Sequence, residues 1–205
     1  MSRDAVLGRI RAALSARDSR PEAPALPPSR PLGDPVGVFA ERARQVGVSV
    51  QMVTLEAVPA RVAEWCTGRS VRSVLAWDTP QLGPVREALD RAGVKIVSLQ
   101  APVDDLAAAD AGLTGAEWGI AETGTLVLGT DAARPRLTSL LPPRHLAVVW
   151  ADRIVSDLPA LFERCGVLPS ALTLITGPSR SADIGFVPVL GAHGPMEVAV
   201  FVVDG

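Results

Sequence analysis

Residues 48–99 read VSVQMVTLEAVPARVAEWCTGRSVRSVLAWDTPQLGPVREALDRAGVKIVSL, and the rhythm of that stretch decides the fold. VSVQMVT (48–54), VRSVLAW (71–77) and VKIVSL (94–99) are short, valine-rich, mostly apolar runs, the pattern of strands whose two faces are both covered. Between them, AVPARVAEWCTG (57–68) and PQLGPVREALDRAG (80–93) space their apolar residues three and four apart, the helical period. Gly93 supplies a helix stop. Strands alternating with helices predict the α/β class: a mainly parallel, twisted sheet flanked by helices.

Upstream, DPVGVFAERARQVG (34–47) predicts a helix with Asp34 as its cap, Pro35 in its first turn and Gly47 at its end. The six prolines of residues 21–35 exclude regular helix and favour an extended linker. Before them, Val6, Leu7, Ile10, Ala13 and Leu14 recur at helical spacing within residues 2–16, beside Arg3, Arg9 and Arg11. That helix suits docking on its own domain or on a partner subunit. The expected organisation is an N-terminal helix and Pro-rich linker at 1–34 and an α/β domain at 35–205.

Downstream the rhythm loosens. A short helix is expected over 104–111, and LTGAEWGIAETGTLVLGT (113–130) holds two β-like halves hinged near Glu122. HLAVVW (145–150) reads as a strand, IVSDLPALFERCG (154–166) as a helix and ALTLIT (171–176) as a strand. PMEVAVFVVDG (195–205) reads as a last strand.

Composition narrows the function classes. The chain has 205 residues, 48% hydrophobic and 20% charged, enough apolar material for a sizeable core. A net charge of −2 argues against a general nucleic-acid binder. No apolar run reaches a membrane span, and the N-terminus lacks the apolar core of a signal peptide, so a cytoplasmic location is expected. The two cysteines, Cys66 and Cys165, lie far apart and suit a reducing compartment; they form no metal or iron–sulfur motif, and no cofactor is expected in this chain. No dinucleotide fingerprint, P-loop, H-E-x-x-H or G-x-S-x-G occurs.

Four polar clusters remain, all near expected strand ends. In the first, Glu122, Thr123 and Gly124 head an apolar strand; the carboxylate is a candidate base, nucleophile or orienting group, and the glycine admits a close approach. In the second, Arg144 and His145 follow two prolines, with Arg136 upstream, and a guanidinium there suits a carboxylate or phosphate. The third, Gly177, Pro178, Ser179, Arg180, Ser181, Ala182 and Asp183, follows a strand and is dense in anion-binding groups. The fourth sets His193 beside Gly191, Ala192 and Gly194. Each also has a structural reading: a locked carboxylate, a solvated arginine, an Arg180–Asp183 ion pair, a turn histidine.

Taken in order, GIAETGTLVL, SLLPPRHLAVV, GPSRSADI and GAHGP resemble the LUD-domain family, the group that includes lactate utilization protein C. The resemblance implies a fold like the sugar-isomerase and coenzyme A transferase-like group. It also implies a role in converting L-lactate to pyruvate beside two companion proteins rich in cysteine and iron–sulfur ligands. Lactate oxidation releases two electrons, and this sequence has no motif to receive them, so iron–sulfur clusters are expected on the partners. On this basis Arg180 and its loop amides hold a small anion, and Glu122 and His193 are the groups placed for proton transfer. Thr123, Gly124, Arg144, Gly177, Ser179, Asp183 and Gly194 complete the expected ligand set. Two alternatives stay open. One is acyl transfer of the coenzyme A transferase kind, with Glu122 as nucleophile. The other is a non-catalytic scaffold or ligand-sensing subunit that docks through its first helix.

Overall fold

The computed structural model describes residues 2–15, 27–166, 169, 171–182, 188–190 and 193–204. Its centre is a six-stranded sheet in the order β1-β12-β7-β4-β2-β3, parallel at every pairing. The strands are β1 (Ser49–Thr54), β2 (Ser73–Ala76), β3 (Lys95–Val97), β4 (Ala111–Gly115), β7 (Arg144–Trp150) and β12 (Glu197–Asp204). The expected α/β class holds. Burial explains the apolar runs: Val198–Val203 of β12 and Leu146–Val149 of β7 are buried on both faces of the sheet.

Helices close the first crossovers. α2 (Pro35–Gln45) begins at Asp34, whose carboxylate accepts from the Gly37 amide at 2.8 Å. α3 (Val58–Gly68) and α4 (Gly83–Arg91) bury Val62, Trp65, Val85 and Leu89 in the main core. α5 (Val103–Ala107) is shorter than the expected 104–111, because the chain there already enters β4. Gly112 is essential to that entry. A Cβ on it would stand 1.9 Å from the Thr138 carbonyl oxygen, so only glycine lets the 136–139 turn press onto β4.

A second sheet, in the order β8-β5-β6-β9, stands beside the first. β5 (Trp118–Ile120) and β6 (Thr125–Gly129) form an antiparallel hairpin; β8 (Ile154–Val155) joins β5, and β9 (Leu172–Ile175) joins β6. The expected hinge near Glu122 is therefore a hairpin turn. A second break, at Ala116 and Glu117, passes the chain from the main sheet to the small one. The small sheet has its own core of Ile120, Val127, Val155 and Leu161, the last from α6 (Leu158–Arg164). The expected helix at 154–166 is thus a two-residue strand followed by a helix capped at Asp157, which accepts from the Ala160 amide at 2.9 Å. A short ribbon of β10 (Arg180–Ala182) and β11 (Pro188–Leu190) follows β9.

α1 (Arg3–Ser15) buries none of its residues, and Val6, Ile10 and Leu14 are exposed along it. The end of the linker is tied down. The Arg30 amide donates to Asp157 at 2.6 Å and the Leu32 amide to Ser156 at 3.2 Å. Burial raises the Asp157 carboxyl, but the Arg30 and Ala160 amides outweigh it and leave the group below its ordinary value.

Candidate functional site

Three of the four sequence clusters meet at the amino-terminal rim of the main sheet, around the end of α2. Gly124 sits in the β5–β6 turn at φ +64, where a Cβ would come within 2.3 Å of the Ala43 amide nitrogen. Its absent side chain lets the hairpin seat on the helix backbone. The hydroxyls of Thr123, Thr125 and Thr176 form a chain, at 2.6 and 2.7 Å, from that turn to the loop after β9. In that loop Gly177, at φ +85, packs against Val46, and the Arg180 guanidinium donates to the Val46 carbonyl at 3.1 Å. A cation there also faces the negative end of the α2 dipole. The Ser179 amide donates to the Pro195 carbonyl at 2.8 Å, and Gly194 lies against the Ser179 side chain.

The side chains at this rim divide by exposure. Glu122 and His193 face solvent, so the head of the strand holds no buried carboxylate; the Glu122 amide donates to Ser156 O at 2.9 Å. Arg180 is exposed too. Asp183, Gly191 and Ala192 lie outside the described residues. Arg144 opens β7 on the same rim, but its guanidinium turns to Glu197 at 3.4 Å and to the Asp110 carbonyl at 3.4 Å. His145, its neighbour, is fully buried and hydrogen bonded to Thr114 at 2.9 Å, with no partner on Nδ1. Burial pushes its pKa down to about 4.

A cleft of about 480 Å³ opens at the opposite, carboxyl-terminal rim. Its position follows from the strand order. The chain leaves β2 toward β3 on one side and leaves β4 into the small sheet, so the carboxyl ends of these two neighbours diverge. Open parallel sheets bind ligands in that kind of crevice. Trp77 and Thr79 come from the end of β2, Gly115 and Glu117 from the end of β4, Trp118 from the start of β5, and Trp150 and Arg153 from the end of β7.

The walls differ in rigidity. Trp77 is buried and donates from Nε1 to the Pro135 carbonyl at 3.1 Å. Arg134 pairs with Glu117 and also with Asp131, to which its Nε donates at 2.8 Å. Arg153 is looser. Its guanidinium lies 5.1 Å from the centre of the Trp118 ring, and Asp152 is 3.9 Å away, too far for a hydrogen bond. Among the described residues the cleft therefore offers indole surface, a fixed ion-pair wall and one accessible cation, Arg153.

None of these cleft residues stood among the sequence candidates. A signal was present. Trp77 and Trp150 each end an expected strand, and Trp118 stands in the first of the two β-like halves, in a chain with four tryptophans and no tyrosine.

The LUD domain family model matches residues 36–203. The lactate utilization protein C of Halalkalibacterium halodurans is 27% identical over 181 residues, covering 82% of this chain and 79% of that protein. That of Shouchella clausii is 31% identical over 144 residues, covering 65% of this chain and 63% of the relative. That of Macrococcus caseolyticus reaches 39% over 103 residues, about half of each chain at 47% and 45%. A crystal structure of a DUF162 family protein from Deinococcus radiodurans superposes with a TM-score of 0.63 at 28% identity, over 86% of this chain and 99% of that one.

Proposed function

Because this chain belongs to the LUD domain family, we propose that it takes part in oxidising L-lactate to pyruvate together with iron–sulfur partner proteins, and that it binds a small anionic ligand. The match to a lactate utilization protein C over 82% of the chain carries this reading. The two cysteines, Cys66 and Cys165, are too few for a four-thiolate cluster, and burial pushes the Cys66 thiol up to about 12. On this reading the electrons pass to clusters held by the partners. The cleft at the carboxyl-terminal rim receives the anion, with Arg153 as its cation. Arg134, occupied by Glu117 and Asp131, keeps the wall in place.

A second reading places the anion at the opposite rim, at Glu122, Arg180 and His193, with Thr123, Gly124, Gly177, Ser179 and Gly194 beneath them. The contacts that bring those motifs together favour it. In either case the exposed Val6, Ile10 and Leu14 of α1 suit a contact with a partner.

The test is complementation. In a bacterium lacking its own lactate utilization protein C gene, this chain restores growth on L-lactate, and removal of residues 1–20 weakens capture of the cysteine-rich partners. Failure of a folded, expressed chain to restore growth overturns the role.

A further inference from the structure

The cleft is much larger than a three-carbon acid requires. Its 480 Å³ falls in the range that accepts ring-bearing, cofactor-sized ligands. Its lining is also uneven in a way that lactate does not use. Three of the chain's four tryptophans, Trp77, Trp118 and Trp150, gather in it. Trp77 is buried and bonded to Pro135, Trp118 is part-buried beneath the Arg153 guanidinium, and Trp150 is part-buried in the cleft wall. Flat π surfaces attract flat ligands through stacking, and every heteroaromatic ring has such a face.

Charge sets the second requirement. Arg153 already lies over one indole and its side chain is 53% exposed, so a ligand anion next to a stacked ring reaches it without displacing a tight pair. Thr79 and Gln81 add hydroxyl and amide groups that can donate to or accept from ring heteroatoms, and the Glu117 carboxylate of the same lining is taken up by Arg134.

We propose that this cleft receives a planar heteroaromatic ligand bearing a phosphate or carboxylate, its ring against Trp150 and its anion at Arg153, which Trp118 supports from below. The inference rests on reading the cleft as the ligand site. It adds the ring, and so assigns the site to a nucleotide-like or heteroaromatic acid rather than to lactate alone.

Calorimetric titration of the full chain separates ring from anion. The probes are flavin mononucleotide, riboflavin and ribose 5-phosphate, with AMP and adenosine as a parallel series and L-lactate as the small anion. Flavin mononucleotide or AMP binds saturably, at least about ten-fold tighter than the same ring without phosphate and than ribose 5-phosphate. Arg153→Met reduces the phosphorylated ligand to the level of its nucleoside. Trp150→Ala reduces it to the level of ribose 5-phosphate. Arg153 is exposed, so its variant tests the proposal even where Trp150→Ala lowers the yield of folded protein. Failure of both ring series to bind, ribose 5-phosphate binding as tightly as the nucleotides, or binding unchanged in Arg153→Met overturns the proposal. L-lactate binding that Arg153→Met abolishes, with no ring ligand bound, removes the ring and leaves the anion site and the lactate role standing.

Discussion

His145 offers the most quantitative test of the packing behind β7. It is fully buried, its Nε2 meets Thr114 and its Nδ1 meets nothing, so the folded protein keeps the imidazole neutral. Its pKa falls from 6.5 to about 4 on folding because burial disfavours the charged ring. Between those values the unfolded chain takes up a proton that the folded one does not. The stability tied to this group is complete above pH 6.5 and is lost as the pH falls toward 4. At 1.36 kcal/mol per pKa unit the full loss is about 3 kcal/mol, of which about 2 kcal/mol has gone by pH 5. The assay is urea unfolding of wild type and His145→Gln at pH 7 and pH 5. Carboxylates titrate in both proteins and cancel in the comparison. Wild type loses about 2 kcal/mol more than the variant between the two pH values. Equal losses refute the reasoning, because they mean that the folded protein accommodates the imidazolium as readily as water does.

Other outcomes follow from particular contacts. Gly124→Ala places a methyl group against the α2 backbone at a left-handed φ and destabilises by about 3 kcal/mol, a fall in Tm of roughly 10 °C by calorimetry. Glu122→Gln, on an exposed turn, leaves Tm within about 1 °C; if the second reading of the anion site is right, it also weakens growth on L-lactate. Arg180→Met removes a donor from the end of α2 and costs about 1 kcal/mol in urea unfolding. Trp77→Phe costs about 1 kcal/mol or more by losing the bond to Pro135, and it narrows the change in indole fluorescence on ligand binding.

Much of the fold was legible because the main sheet announces itself. Periodicity switching between strands and helices over residues 48–99 placed β1, α3, β2, α4 and β3, and caps such as Asp34 placed α2. What escaped was the transfer to a second sheet. Ala116 and Glu117 form a break too short to interrupt an apolar stretch, and β8 is only two residues long, so its pattern merges with the helix that follows. The clusters at Glu122, Gly177 and Gly194 read as chemistry. Their glycines and hydroxyls also have packing tasks: admitting α2, reversing the chain and joining two loops. Polar and glycine-rich motifs look alike in sequence whether the close neighbour is a ligand or the protein's own backbone. The cleft was hidden for the opposite reason. Its tryptophans are apolar, and nothing in the sequence separates Trp118 and Trp150, part-buried in the cleft wall, from Trp77, which is also part of the main core.

The claim that the ligand anion is held at the carboxyl-terminal rim is tested most directly by titrating pyruvate into wild type, Arg153→Met and Arg180→Met and comparing dissociation constants. Loss of a charge-assisted contact at Arg153 weakens binding about ten-fold or more, while Arg180→Met stays within about two-fold of wild type. Weakened binding in Arg180→Met with Arg153→Met unaffected contradicts the account and moves the site to the rim of Glu122 and His193.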